Sequence, residues 1–499
     1  MSSLISATWQ NAPTVLRRLS ETATEKVIHG PASGIFFGFM AIVVGLTFTW
    51  IMAKSSFKKY VNLPYTIIMF FFGIILSAAT NSAASKDGEV VASTQVWMNI
   101  DPDLMLYALL PPLLFAEAMQ LDSHQVRMAS FPSALLALPG AAFGAYMQAL
   151  VCYHMLPFKW EWLFCFMVGS VLAATDPVSV VNMLKNVRGG SISTTKLTYL
   201  ITGESLLNDG TALVMFEAIV SKHYDTSFSV VMFFVKVLTL SPLVGLVFGL
   251  LTLHVLKISR RRTSIEHTVV QISATVSCAY LSFFFAQYIL KCSGIISCCA
   301  AGILIAWKGP ALILQPEQME IVWHMLEWVG NTMIFSIAGL IVGKYSHTID
   351  WNDIACIGII YVTMTLIRAL MLCICYPVVK WFHSDYSMKD IAFSTFGGLR
   401  GAISLALVLI IEKHLDDYVA PGEASSHARY FSGEDGRHAM FIICGTVALT
   451  VIINGSFAGT FFTWLYNSRL ENTVDEIIFH YVEKRIRRRA REFIANTEE

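Results

Sequence analysis

The chain has 499 residues, of which 55% are hydrophobic and only 14% are charged, and its 35 basic and 35 acidic residues cancel. Soluble domains carry about 25% charged residues, so this composition excludes an ordinary soluble protein and indicates a polytopic membrane protein. The sequence has no zinc cluster, no phosphate loop and no basic-aromatic surface, so we expect no resident cofactor and no nucleic-acid partner.

Runs of about 20 mostly apolar residues predict membrane-spanning helices. Thirteen such runs follow one another, and the second and the ninth are short. We therefore expect an all-α fold with 13 transmembrane helices. In chain order the predicted spans are 31–53, 63–79, 103–120, 131–156, 162–184, 197–221, 228–256, 266–290, 293–307, 322–343, 353–380, 390–412 and 438–466.

The distribution of lysine and arginine predicts the orientation of these helices, because cytoplasmic loops carry the excess of positive charge. The loops on one side, counted together with residues 467–499, hold about twice as many basic residues as the opposite side. The sequence thus predicts an extracellular N-terminus, with residues 1–30 as a polar segment or, alternatively, a transit peptide. Residues 467–499 would begin a cytosolic tail, whose arginine-rich run either binds anionic lipid or anchors the last span.

Two predicted spans contain residues that break a helix. Span 5 reads "VLAATDPVSVV", with Asp176 before a proline, and span 12 reads "FSTFGGLRGAISLAL", with three glycines around Arg400. They lie seven spans apart, as expected for inverted repeats of spans 1–6 and 8–13 joined by span 7. Interrupted helices at matching positions mark a transport site near the middle of the membrane. At the first break, Thr175 and Asp176 offer a hydroxyl, a carboxylate and freed carbonyls.

Ionisable residues inside membrane spans are costly and by default indicate function. In span 6, Ser205 and Asp209 are four residues apart and share one helix face. Glu204 and Asn208 share the neighbouring face. Hydroxyl, carboxylate and amide oxygens are ligands for hard cations. Glu117 is a further acid near the end of span 3, where a membrane-edge position and a ligand role remain equally open.

Charge balance separates the roles of the buried acids. If Arg368 pairs with Glu204, and Arg400 faces Asp176 or the broken helix ends, Asp209 has no permanent partner. Such a carboxylate takes up a proton or a cation. Two structural alternatives stay open: Asp209 as a hydrogen-bonding kink residue, and Glu204 with Arg368 as a purely structural ion pair.

Several segments resemble the signature motifs of eukaryotic sodium/proton exchangers. These are "LLPPLLF", "ATDPVSVV", "GESLLNDGTALV", "NTMIFSIAGLIVG" and "GGLRGAISLAL", in this order and with the lone Arg368 between the last two. The resemblance runs from about residue 60 to 466. Within the family, the segments look most like those of the plant plasma-membrane salt-tolerance exchangers and their sperm-type relatives. It implies a homodimer with an NhaA-like inverted-repeat fold. Residues 31–130 and 228–343 would form the dimerisation domain, and residues 131–221 and 353–466 the ion-transporting core.

The resemblance also implies a function, that of a secondary antiporter and not of an enzyme. Asp209 would carry Na⁺ and H⁺ in turn, with Thr175, Asp176, Ser205 and Asn208 around it. The core would move as an elevator, in electroneutral one-for-one exchange, in the plasma membrane, with a role in pH regulation and salt tolerance.

The resemblance and the sequence leave several points open. Li⁺ and K⁺ remain alternatives to Na⁺, and a cation channel or a non-transporting sensor on the same fold remains an alternative function. One departure concerns Glu117, because relatives commonly have the acid one position earlier, where this chain has Ala116.

Overall fold

The computed structural model describes most of the membrane region. The N-terminal segment 1–30 and the basic tail 467–499 lie outside the described residues. The side of the membrane predicted for each segment and the lipid contact predicted for the tail therefore stay predictions. The described residues are 31–53, 64–82, 89–121, 131–176, 180–181, 184, 192–220, 227–260, 265–345, 351–382, 386–418 and 433–466.

Every regular element in this described part of the chain is helical. Three π-helical turns, at Leu136–Gly140, Phe285–Ile289 and Val451–Gly455, adjoin longer helices. The α-helices are α1 (Pro31–Ala53), α2 (Tyr65–Ser82), α3 (Glu89–Met98), α4 (Pro102–Met119), α5 (Ala141–Met155), α6 (Trp162–Ala173), α7 (Ile192–Val220), α8 (Ser227–Ser259), α9 (Ile265–Phe284), α10 (Gly294–Lys308), α11 (Pro316–Lys344), α12 (Trp351–Phe382), α13 (Met388–Phe396), α14 (Ala402–Tyr418), α15 (Gly433–Thr450) and α16 (Ser456–Tyr466).

Each predicted span contains at least one helix among the described residues, and one further helix was not predicted. Helix α3 is short and of mixed polarity, so it does not form a 20-residue apolar run. It packs on α1, where the rings of Phe37 and Trp97 lie 5.5 Å apart. The Ser93 hydroxyl also accepts a hydrogen bond from the backbone N–H of Phe37 at 2.9 Å. Contact with α1, and not its own hydropathy, therefore places α3.

The chain is an integral membrane protein. Seven helices of the described part are long and apolar enough to cross a bilayer, and shorter apolar helices accompany them. Helix α12 is the clearest case, because Trp351 and Trp381 near its two ends are both 86% exposed. Thirty residues of helix rise about 45 Å, the thickness of a bilayer with its headgroups, and tryptophan favours both interfaces. The exact number of spans, their orientation and the inverted repeat stay predictions.

The chain forms two compact units, Met1–Met105 with Trp328–Ile349 and Leu106–Glu327 with Asp350–Glu499. In the first unit a glycine allows α2 and α11 to cross closely, because a Cβ on Gly73 would lie 2.7 Å from the backbone nitrogen of Leu340. The second unit contains all the predicted site residues. The division into a dimerisation domain and an ion-transporting core stays a prediction.

In the second unit, helix α13, which precedes the second break, is held by a capping box and by contacts with α16. A capping box starts α13, with the Ser387 backbone N–H donating to Asp390 Oδ2 at 2.6 Å. The hydroxyl of Tyr466 on α16 donates to the same Asp390 carboxylate. Edge-to-face packing of Phe393 on Phe462, 5.2 Å between ring centres, adds an apolar contact between α13 and α16. The chain before the second break is therefore held by both polar and apolar contacts.

Candidate functional site

The two broken segments lie against each other. Helix α6 ends at Ala173 because the chain approaches Pro177, which disfavours helical geometry before it. Residues 397–401 separate α13 from α14. The backbone N–H of Asp176 donates to the carbonyl of Leu399 at 2.9 Å, and Ser404 Oγ donates to the carbonyl of Val171 at 2.9 Å. Each break thus supplies backbone partners for the other.

Glycines in the second break allow this close approach. A Cβ on Gly401 would collide with the side chain of Asp176. A Cβ on Gly398 would lie 2.6 Å from Cδ and Nε of Arg368. The sequence suggested only that these glycines weaken a helix. Their more specific role is steric, because they leave room for one acidic and one basic side chain at the crossing.

A buried ion pair joins α7 to α12. Arg368 Nη2 lies 3.0 Å from Glu204 Oε1, and both side chains are buried. Arg368 Nε donates to the carbonyl of Ser394 at 3.0 Å, so the guanidinium also holds the end of α13. The structure therefore brings together the two residues that charge balance paired.

Two further residues of α7 bind the broken end of α6. Asn208 Nδ2 donates to the carbonyl of Ala173 at 2.8 Å and to Thr175 Oγ1 at 3.1 Å. Ser205 Oγ donates to the backbone carbonyl of Thr175. The side-chain Oγ1 of Thr175 lies 3.2 Å from Ser205 Oγ. The backbone carbonyls of Ala173 and Thr175 at the broken end of α6 thus have protein donors in this arrangement.

Arg400 lies within the second break and reaches the first one. Its Nη1 donates to the carbonyls of Ala173 and Ala174 at 2.8 and 2.9 Å, and its Nε lies 3.1 Å from Met364 Sδ. Of the two positions left open for Arg400, facing the broken helix end is the one observed. Its charge also interacts with the carboxylate of Asp209.

Asp209 is 3% exposed and lies among these groups. Its Oδ1 has no hydrogen-bond partner among the described residues. The same holds for Oδ1 of Asn208, the adjacent residue. Buried oxygen atoms normally have a partner: the Asp209 oxygen can take a proton or a cation, and the Asn208 amide oxygen can take a hydrogen-bond donor or a cation.

Glu117 on α4 belongs to the same electrostatic environment. Its Oε2 is buried and has no hydrogen-bond partner in the described ranges. Its charge interacts with those of Asp176 and Asp209. The residue as a whole is half-buried, and the choice between a membrane-edge position and a ligand role stays a prediction. Although this acid lies one residue later than is common in relatives, it interacts electrostatically with the acids of the candidate site.

Comparison with known proteins identifies the family of this chain. Residues 35–464 match the family described as "Sodium/hydrogen exchanger, transmembrane". The chain belongs to the sodium/hydrogen exchanger family. The match includes both broken helices and the whole of α7, so every residue of the candidate site lies within the family region.

Two relatives from Arabidopsis thaliana are similar over most of this chain. "Sodium/hydrogen exchanger 7" is 28% identical over 450 residues, which are 88% of this chain and 37% of the relative. "Sodium/hydrogen exchanger 8" is 28% identical over 440 residues, which are 85% of this chain and 54% of the relative. The chain therefore spans between about a third and about a half of the length of these two relatives.

A solved structure shares the fold. The sodium proton antiporter MjNhaP1 from Methanocaldococcus jannaschii aligns with a TM-score of 0.66 and 17% sequence identity. The alignment covers 86% of this chain and 97% of that one. The order of the helices is therefore that of an antiporter fold.

Proposed function

We propose that this chain is a secondary antiporter that exchanges Na⁺ for H⁺, with Asp209 as the group that binds either ion. The observation that carries the proposal is the buried Oδ1 of Asp209, which has no hydrogen-bond partner in the described part of the chain. It lies where the two broken helices meet. Membership of an exchanger family and the names of the two Arabidopsis thaliana relatives support cation/proton exchange.

The neighbours of Asp209 supply the remaining ligands in this proposal. Ser205, Thr175, Asp176 and Asn208 offer hydroxyl, carboxylate and amide oxygens, the ligand types that Na⁺ prefers. A proton on Asp209 removes the negative charge that a cation needs, so the two ions compete for one site. This competition couples the two ions. A charged Asp209 carboxylate that holds neither a proton nor a cation is energetically costly to move through the membrane.

The basic residues have a different proposed role. Glu204 and Arg368 neutralise each other and hold α7 against α12. Arg400 compensates the carbonyls at the broken end of α6. Neither guanidinium needs to exchange ions, so one titrating carboxylate carries the cycle. This supports a stoichiometry of one Na⁺ for one H⁺.

The wider proposal follows the family resemblance. The core, residues 131–221 and 353–466, moves as an elevator against the remaining helices in a homodimer. The proposed membrane is the plasma membrane, with a role in salt tolerance and pH regulation. Li⁺ and K⁺ remain alternative cargoes, because oxygen ligands serve all three ions.

Substitution of Asp209 by asparagine tests the carrier assignment. In proteoliposomes loaded with a pH-sensitive dye, a Na⁺ gradient should drive proton movement through the wild type and not through Asp209→Asn. Asp353→Asn is the matched control, because Asp353 is also a buried aspartate but lies 15 residues, about 22 Å, before Arg368 on α12. The control should keep Na⁺-driven flux. Wild-type flux in Asp209→Asn would show that another group carries the ions.

The choice of cation needs a separate experiment. Proton flux driven by Na⁺, Li⁺ and K⁺ gradients of equal size should be largest for Na⁺ in the wild type. A K⁺-driven flux larger than the Na⁺-driven flux would overturn the cargo while leaving the carrier in place.

A further inference from the structure

Gln148 on α5 is a buried polar side chain that the exchange cycle does not use. It is 3% exposed, yet neither its Nε2 nor its Oε1 has a hydrogen-bond partner in the described residues. The thiol of Cys152, one turn later on the same helix, interacts with this side chain, but thiols are weak partners. A buried amide without partners is destabilising, so this side chain calls for an explanation.

Gln148 lines a cavity of about 30 Å³ next to the candidate site. Gly144, one turn earlier on α5, leaves this space open, because a Cβ there would meet no atom within 4 Å. The opposite walls include Asn208, Arg368 and Arg400. A cavity needs about 10–15 Å³ of such space for each water molecule, so one or two molecules fit.

The chemistry of the walls selects the occupant. Gln148 Oε1 and Asn208 Oδ1 both need a donor and Gln148 Nε2 needs an acceptor, while the guanidinium groups of Arg368 and Arg400, which also line the cavity, can only donate. A cation satisfies only the two oxygens and is repelled by Arg368 and Arg400. An anion satisfies only the donors. Water both donates and accepts, so it can serve the oxygens and the donors together, as buried waters with about three partners do.

We propose that Gln148 holds one or two structural water molecules in this cavity, and that this water positions Asn208 and Arg400 at the broken end of α6. The water donates to Asn208 Oδ1 and accepts from the Arg400 guanidinium. Both side chains bind the carbonyl of Ala173. Gln148 is thus a positioning residue that acts through the two side chains holding this carbonyl. The effect on ion affinity rests on the proposed function, whereas the presence of water does not.

Radiolytic footprinting tests the water directly. Hydroxyl radicals formed from bound water oxidise neighbouring methionines to the sulfoxide, and Met364 and Met371 line the cavity although both are buried. Short irradiation should oxidise both in the wild type. Gly144→Ala fills the cavity with a methyl group and should reduce this oxidation several-fold. Met440, which is fully buried and is not among the cavity-lining residues, should stay unmodified throughout.

The outcomes separate cleanly. Equal oxidation of Met364 and Met371 in the wild type and in Gly144→Ala would overturn the proposal, as would protection of both in the wild type. Gly358→Ala is the matched control, because a Cβ on Gly358 of α12 also meets no atom within 4 Å and Gly358 does not line the cavity. It should give the wild-type pattern.

Transport kinetics test the positioning role. Gly144→Ala and Gln148→Met should each raise the KM for Na⁺ by roughly fivefold, the effect of one ordinary hydrogen bond. Gln148→Asn, which keeps the amide, should recover most of the loss, and Gly358→Ala should keep the wild-type KM. An unchanged KM in both Gly144→Ala and Gln148→Met would refute the positioning role. If the wild type shows no Na⁺/H⁺ exchange, the proposed function fails, and footprinting still decides whether the water is present.

Discussion

At the scale of single residues, the Glu204–Arg368 pair shows how a buried charge is tolerated in this membrane region. The ionic contact of 3.0 Å and the bond from Arg368 to Ser394 tie α7, α12 and α13 together. Removing one partner leaves the other charge buried and uncompensated, at a cost of about 3–5 kcal/mol. Replacing both by neutral groups of similar size costs far less.

We therefore expect Glu204→Gln to lower the thermal unfolding temperature of the purified protein strongly, because it leaves the Arg368 guanidinium without its carboxylate. The double variant Glu204→Gln with Arg368→Met should recover most of the loss. Thermal unfolding in detergent, followed by intrinsic fluorescence, measures both. A double variant as unstable as the single one would mean that Arg368 stabilises the fold mainly through Ser394.

The sequence predicted which residues would be buried and charged, but not all of their partners. Counting two arginines against three acids showed that one acid has no permanent partner, but the pairing of Glu204 with Arg368 was an assumption of that count. The count left two positions for Arg400, because hydropathy does not reveal where a broken helix ends in space. It also missed Gln148, since a neutral amide in an apolar run looks like an ordinary packing residue until the cavity beside it is known.

At the scale of helices, the crossing of the two broken segments depends on backbone proximity. Asp176 and Leu399 share a backbone hydrogen bond, and Gly401 lies so close to Asp176 that no Cβ fits between them. The position of Asp176 is thus set by a residue more than 200 places later in the chain.

Gly401→Ala should therefore displace Asp176 and disturb the site without changing any charge. We expect the maximal rate of Na⁺-driven proton flux to fall at least about tenfold, as misplacement of a supporting group by about 1 Å commonly causes larger losses. Flux assays of the purified variant in proteoliposomes measure this. Gly144→Ala is not a suitable comparison because it lines the cavity, so Gly358→Ala serves again as the control. Wild-type flux in Gly401→Ala would mean that the crossing relaxes at little cost.

The sequence predicted the helices well where the runs of apolar residues are long, and it predicted both breaks. Proline and clustered glycines have local effects on the backbone that need no tertiary information. Helix α3 was missed for the opposite reason. It is only 10 residues long, and packing against α1 stabilises it.

At the scale of the whole molecule, the linear order of the motifs was sufficient to predict an antiporter fold. It was not sufficient to predict how helices group into compact units, because those groupings depend on contacts such as the one between Gly73 and Leu340. The same limit applies to Glu117. Its distance from Asp209 along the chain says nothing about the charge interaction between them.

The number of charges that move in one transport cycle is a property of the whole molecule. Glu117, Asp176 and Asp209 interact electrostatically, so more than one of them is able to influence the cycle. If Asp209 alone exchanges one Na⁺ for one H⁺, no net charge crosses the membrane. A net charge would gain or lose about 2.3 kcal/mol in a potential of 100 mV, enough for a large change in rate.

We therefore expect the rate of Na⁺-driven proton flux to be unchanged when a potential of either sign is imposed on the vesicles with K⁺ and valinomycin. Glu117→Gln should behave in the same way, because in this scheme Glu117 carries no ion from one side of the membrane to the other. A rate that follows the potential in the wild type would contradict one-for-one exchange. If Glu117→Gln then abolished that dependence, Glu117 would be the second ion-carrying carboxylate, and the shifted acid of "LLFAEAM" would be part of the cycle.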